Sequence, residues 1–279
     1  MIAARIISAA ALLALAPPAA AAPLTADLLP PALLADCEAK AHAFGRYAPA
    51  IAGSVRALSD LGVFAEKEFE DARIGYCPLQ AAGGPVATAS CADGIILLDE
   101  KYADARQALV LRATLAHEMT HHLQHLDKKA QFGADYCAGP RYLADKPALE
   151  AAADALGDAV GDLFVLGRSV AVANACDAPV SVYLEAEDPV AVRGAPPQFM
   201  HIEPGATALA AERALSGRVR FHARTAPQAG PARVWEDRTG PHSRFVEGRL
   251  VRLREMQLAA AGRVNGPFRL RLSCAATGK

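Results

Sequence analysis

The chain is short of aromatic residues, 6% with a single Trp, and it has almost no net charge, −1 from 29 basic against 30 acidic residues. So even a balance excludes a polybasic nucleic-acid binder, because no global field draws a highly charged partner. After the first two dozen residues no apolar run approaches the roughly 18 residues that a membrane-spanning helix needs. No two cysteines form a C-x-x-C pair, which argues against a cysteine metal cluster. A nucleophile elbow, a phosphate-binding glycine loop and a paired-carboxylate glycosidase signal are all missing, and no internal repeat is visible. What is there, 279 residues of which 52% are hydrophobic and 21% charged, belongs to a globular chain of one large or two ordinary domains.

Residues 1–22 read as a secretory signal peptide. Arg5 precedes an apolar run at 6–16, Pro17 and Pro18 interrupt it, and small residues at 19–22 offer a cleavage site. The run is too short to span a bilayer. This reading places the protein in the periplasm or outside the cell, where disulfides persist. All six cysteines, Cys37, Cys77, Cys91, Cys137, Cys176 and Cys274, follow the segment. An even number suits three bridges, and fifteen connectivities are open. Local context favours Cys77 with Cys91 across the Gly/Pro-containing stretch between RIGYC and GIILLD. It favours Cys176 with Cys274 at the two limits of a C-terminal β region, which leaves Cys37 for Cys137.

The expected fold is α+β in two modules, residues 23–166 mainly helical with a small β-sheet and residues 167–279 all-β and sandwich-like. Between Asp104 and Lys128, Leu111, Leu115, Met119 and Leu126 recur at three- and four-residue spacing without Pro or Gly, which predicts a long amphipathic helix. A second helix is expected from Pro147, a residue suited to a first turn, through Leu149, Leu156, Val160 and Leu163. The strand candidates of this half lie between Ile74 and Leu98. From Arg168 onward come short runs, SVAVANA, VSVYLEA, RVRFHAR, ARVWED, RFVEGRLVRL and FRLRLSC, separated by turn residues, with Trp235 expected in their core. Charge divides at the same place: net −8 over residues 23–167 and net +6 over residues 168–279. Opposite signs allow the modules to attract each other, or the basic one to lean toward an anionic cell surface or an envelope partner; arginines simply facing water explain the same bias.

Within the long helix stands His117-Glu118-Met119-Thr120-His121, the pattern H-E-x-x-H. A four-residue spacing puts both imidazoles on one helical face, able to converge on one metal ion, with Glu118 placed to take a proton from water activated by that ion. This is the chemistry of amide hydrolysis. A catalytic zinc needs a third ligand and an open position. Glu150 supplies the ligand, and Asp154, one turn on, supports a ligand His by hydrogen bonding its other nitrogen. Asp127 is the rival ligand, but its spacing needs a chain-turning Gly where Gln124 stands. His122 and His125 read as exposed helix residues and Asp158 as a solvated charge. Tyr136 and Tyr142, between the helices, are candidate donors to an oxyanion.

With these residues in place the chain resembles the gluzincin group of zinc metallopeptidases, which pair H-E-x-x-H on one helix with E-x-x-x-D on the next. The resemblance spans about residues 95–160, and KPALEAAADALG is similar to the second helix of small bacterial members. It implies a zincin-like metallopeptidase domain over residues 23–166, followed by the β-sandwich-like accessory domain. It also implies Zn2+ held by His117, His121 and Glu150, Glu118 as general base, and Asp154 behind a ligand. The expected function is an exported zinc-dependent peptidase acting on a peptide or protein. The alternative is a secreted binding or envelope-assembly protein whose zinc is only structural.

Overall fold

The computed structural model describes residues 30–188, 197–226, 232–264 and 266–274; the expected signal peptide at residues 1–22 lies outside them. Helices and several sheets are both present, so the chain is mixed α and β. Among the described residues four α-helices occupy the first half: α1 (Pro31–Lys40), α2 (Pro49–Asp60), α3 (Ala108–Phe132) and α4 (Pro140–Leu166). They accompany a sheet of β1 (His42–Ala43), β2 (Arg73–Cys77), β3 (Ala87–Ala89) and β4 (Ile95–Asp99), ordered β1-β2-β4-β3. The β2–β4 pair is parallel, and β3 lies antiparallel to β4 at the sheet's edge.

The long helix begins at Ala108 rather than Asp104, because the Asp104 carboxylate caps a separate 3-10 turn by accepting the Arg106 N–H. It ends at Gly133, whose φ of 94° suits a residue without a Cβ. The expected start of the second helix at Pro147 is corrected. Helix α4 starts seven residues earlier, where Gly139 is extended and Pro140 takes the first-turn position. Pro147 sits inside the helix on an exposed turn beside the exposed Leu143, so the carbonyl that loses its donor there meets water.

In the second half, β14 (Ala259–Ala260), β15 (Phe268–Leu272), β5 (Arg168–Asn174) and β8 (Thr207–Ala214) form one sheet in that order. A second sheet runs β10 (Val234–Trp235), β9 (Arg218–Thr225), β6 (Val180–Ala186), β7 (Met200–Ile202), with β13 (Arg254–Gln257) also on β9. The two sheets bury Val170, Val172 and Leu270 of one and Val180, Val182 and Phe221 of the other in a single cluster. A hairpin of β11 (Ser243–Val246) and β12 (Arg249–Arg252) covers Tyr183 of β6 with Val246 and Val251. Four strands of this half went unforeseen, β7, β8, β13 and β14. TALAAERA in β8 is composed of helix formers, and it is pairing with β5 that holds it extended. Trp235 is partly buried against the core.

The halves are closely joined. The hydrophobic cluster that contains Leu111, Leu115 and Met119 of α3 also contains Phe221 and Leu270 of the β half. Arg168, 2% exposed, sends its guanidinium to three carbonyls: Leu61 O at 2.7 Å, Gly266 O at 2.7 Å and Arg263 O. Arg263 in turn donates to Val63 O at 2.9 Å and to Glu68 at 2.7 Å. Between these contacts Gly62, at φ 67°, approaches Ala260 so closely that an added Cβ would stand 2.6 Å from that side chain.

Three disulfides fit an exported protein, and no described cysteine is free. Cys176 pairs with Cys274, as expected, because β5 and β15 run parallel with Asn174 beside Leu272 and each cysteine follows two residues later. The expected pairs Cys77–Cys91 and Cys37–Cys137 are corrected to Cys37–Cys77 and Cys91–Cys137. Cys77 lies beside Asp99, at the end of β4, whereas Cys91 precedes the start of β4. The two are about a strand length apart, roughly 13 Å, beyond the reach of one disulfide. Among the described residues no helix is long and apolar enough to cross a membrane.

Peptide mapping of the non-reduced protein should recover these three pairs and no bridge between Cys77 and Cys91. Arg168→Met should lower stability to chemical denaturation by about 2–3 kcal/mol, since the buried Leu61 carbonyl and two part-buried carbonyls lose their donor; a loss under about 1 kcal/mol would show that the junction does not depend on it.

Candidate metal centre

Helices α3 and α4 are antiparallel neighbours joined by only residues 133–139. Small residues let them approach: Ala153 and Gly157 of α4 are buried, and a Cβ on Gly157 would lie 3.3 Å from Ala113 O and 3.4 Å from His117 Cβ. That approach brings Glu150 across to the two histidines of α3. His117 Nε2 and His121 Nε2 are 3.1 Å apart, His121 Nε2 and Glu150 Oε2 3.2 Å, and His117 Nε2 and Glu150 Oε2 3.8 Å. A tetrahedral ion bonded at about 2.0–2.1 Å holds its ligands about 3.3–3.4 Å apart, so the triangle fits one cation.

The outer nitrogens explain why the inner ones converge. His117 Nδ1 meets Asp154 Oδ1 at 3.2 Å, and His121 Nδ1 meets Gln124 Oε1 at 3.2 Å. Gln124 is itself oriented by donating to Leu149 O at 3.3 Å. With each Nδ1–H given to an oxygen, both Nε2 atoms present lone pairs to each other and to a carboxylate oxygen. Burial lowers the His121 pKa, which disfavours the alternative of a proton shared among the three. A cation satisfies all three acceptors at once.

The centre opens on a cleft of about 730 Å³ whose lining includes His117, Glu118, His121, Tyr142, Glu150 and Asp154. Glu118 is 5% exposed. Its carboxyl is pushed up to about 8, first by burial and then by the Glu150 charge, against the pull of a hydrogen bond from the Ala89 N–H. That bond comes from edge strand β3, where Ala89, opposite Ile96, turns its backbone groups away from β4 and toward the cleft, as does Ala87. The Cys91–Cys137 bridge lines the same cleft, tying the turn after β3 to the connection between the two ligand helices.

Of the other candidates, His122 and His125 are corrected, while Asp127 and Asp158 stand exposed. Asp127 is exposed and lies outside the cleft lining, so the structure brings Glu150, not Asp127, to the histidines. His122 and His125, expected at the surface, are 2% and 4% exposed. His122 packs against Gly94, where an added Cβ would stand 3.1 Å from the imidazole. His125 stacks on His121 with ring centroids 5.9 Å apart and meets Tyr142 edge-on at 5.7 Å; burial, aided by nearby cationic groups, pushes its pKa down to about 4. Tyr136 is buried and committed to Asp145 at 3.1 Å, which leaves Tyr142 as the tyrosine of the cleft. Asp158 stands exposed on the cleft wall. Gln124 was missed as a support for His121, although its position three residues on, on the same helical face, was a usable signal.

Comparison with protein-family models, with curated proteins and with solved structures gives no match for this chain.

If this triangle holds the ion, the oxidised protein should purify with about one bound divalent metal, measured by elemental analysis. Glu150→Ala should lose it and Asp127→Ala retain it, while Gln124→Ala should weaken affinity about 10- to 100-fold in chelator competition. Equal losses in the Glu150 and Asp127 variants would overturn the ligand set.

Proposed function

We propose that the protein is an exported zinc-dependent peptidase. The observation that carries this reading is a three-ligand set, two imidazoles and one carboxylate, that faces an open cleft with a buried, non-ligating carboxylate beside it. A structural zinc is enclosed by four protein ligands and has no use for a base such as Glu118. Zinc, when bound here, supplies a Lewis acid that polarises a carbonyl and makes water more acidic.

The chain's own groups then have distinct tasks. Asp154 and Gln124 hold the ligand imidazoles in one tautomer and one orientation. Glu118 accepts the proton of the attacking water at its carboxylate and delivers it to the leaving amine; burial makes it a stronger base than an exposed Glu, and a neighbouring cation moderates the effect. The outward backbone groups of β3 that Glu118 does not use, the Ala87 N–H and C=O and the Ala89 C=O, suit an extended peptide laid along the sheet edge. Tyr142, whose phenol is kept protonated by burial and by the Glu150 charge, is the donor available to a developing oxyanion.

Glu118→Gln should keep its metal and its melting temperature yet lose at least about 100-fold in kcat/KM on a peptide library that the wild type cleaves, because an amide cannot take the proton. A wild type that binds zinc but cleaves nothing in a chelator-sensitive manner would leave the non-catalytic centre as the correct reading.

A further inference from the structure

Far from the metal centre in sequence, the β11–β12 hairpin closes through Glu247 and Gly248, both at positive φ, 48° and 75°, the geometry of a two-residue hairpin turn. Its two faces differ. Val246 and Val251 point inward and are buried with Tyr183, Phe199 and Leu253. Phe245 and Leu250, directly opposite each other, point outward at 69% and 61% exposure. Phe245 is the most exposed large hydrophobic residue among those described. Two large apolar side chains held side by side in water by a rigid turn oppose the hydrophobic effect, so an apolar phase or partner is expected to cover them.

The surroundings say what kind. Arg252 shares the outer face, opposite Ser243, while Arg249, opposite Val246 on the other face, is exposed at the turn, where its long side chain can reach the rim of the tip. Arg252 donates to the Arg238 carbonyl, and neither guanidinium has a carboxylate partner among the described residues. The hairpin's one acidic residue, Glu247, turns its carboxylate inward to the Phe199 N–H at 3.1 Å. The tip is therefore an apolar pair beside guanidinium groups that no carboxylate neutralises, within a half of the chain that carries net +6. A second copy of the same hairpin would place like charges against each other, and a neutral apolar partner would leave the arginines desolvated. A bilayer with anionic headgroups meets both demands, burying Phe245 and Leu250 at the acyl boundary and pairing Arg249 and Arg252 with phosphates.

We propose that this hairpin docks the protein on an anionic phospholipid surface, with Phe245 and Leu250 inserted. The test is flotation of the full oxidised protein with vesicles of phosphatidylcholine alone or of phosphatidylcholine and phosphatidylglycerol in equal parts. Binding should favour the anionic vesicles and weaken with added salt. Phe245→Ser with Leu250→Ser should reduce it by more than about 10-fold. Arg249→Glu with Arg252→Glu should reduce it by more than about 25-fold, since each arginine near such a surface contributes about five-fold. Thermal unfolding of each variant checks the fold, and Phe245→Trp gives a reading that needs no loss of function: its added fluorescence should shift to the blue with anionic vesicles only. Equal binding to both vesicle types, binding unchanged in the serine variant, or no fluorescence shift in the Phe245→Trp variant would each overturn the proposal. Failure to bind either vesicle would overturn it too and assign the hairpin to a protein partner.

Discussion

The close packing of α3 on α4 is the constraint on which the rest depends. Two imidazole lone pairs and a carboxylate oxygen within 3.8 Å of one another repel unless a cation lies between them, so the arrangement needs an external restraint. Several features provide it. Gly157 and Ala153 remove the side chains that would keep the helices apart, and the short connection closes them into a hairpin. The Cys91–Cys137 bridge ties that connection to the turn between β3 and β4, so the cleft's two walls are covalently linked. The result is a pre-formed triangle of side chains that could hold a metal ion without rearrangement.

The β half is part of the same body. Arg168 opens β5 and at once reaches across to Leu61, Arg263 and Gly266, while Gly62 lets α2's end settle on β14. A buried guanidinium that satisfies three carbonyls is costly to disturb, because the buried Leu61 carbonyl would be left unpaired and the guanidinium itself would lose all three partners. Such a junction transmits position: a surface that places the β half also orients the cleft, which connects the hairpin's proposed docking to access at the candidate metal centre.

Much of the site was legible in the sequence for a local reason. His117, Glu118 and His121 lie within five residues on one helix, and helical periodicity alone fixes their relative placement. Glu150 and Asp154 were legible one step further, since they share a face of a second helix, yet choosing Glu150 over Asp127 required an argument about how the chain turns. Misreadings occurred where the answer depended on partners distant in the chain. His122 and His125 looked polar and therefore exposed, but the sheet and the second helix cover them. Cys77 and Cys91 looked like a hairpin pair because they flank a Gly/Pro-containing stretch between two strand-like runs, whereas the parallel β2–β4 register puts them about a strand length apart. Pro147 looked like a helix start because proline suits a first turn, but Pro140, preceded by the extended Gly139, takes that place seven residues earlier.

By itself the sequence determined the mixed α and β character, the spacing of the two histidines and the carboxylate between them, and the change from helix to strand texture near residue 167. Each is a property of neighbours within a few residues, which backbone periodicity converts directly into geometry. Tertiary structure alone decided that Gln124 meets the outer nitrogen of His121 and that His122 and His125 are buried. It decided likewise that the disulfides join Cys37 to Cys77 and Cys91 to Cys137, and that TALAAERA is a strand. Those outcomes are set by which surfaces pack together, and packing depends on side-chain volume and strand register summed over the whole chain.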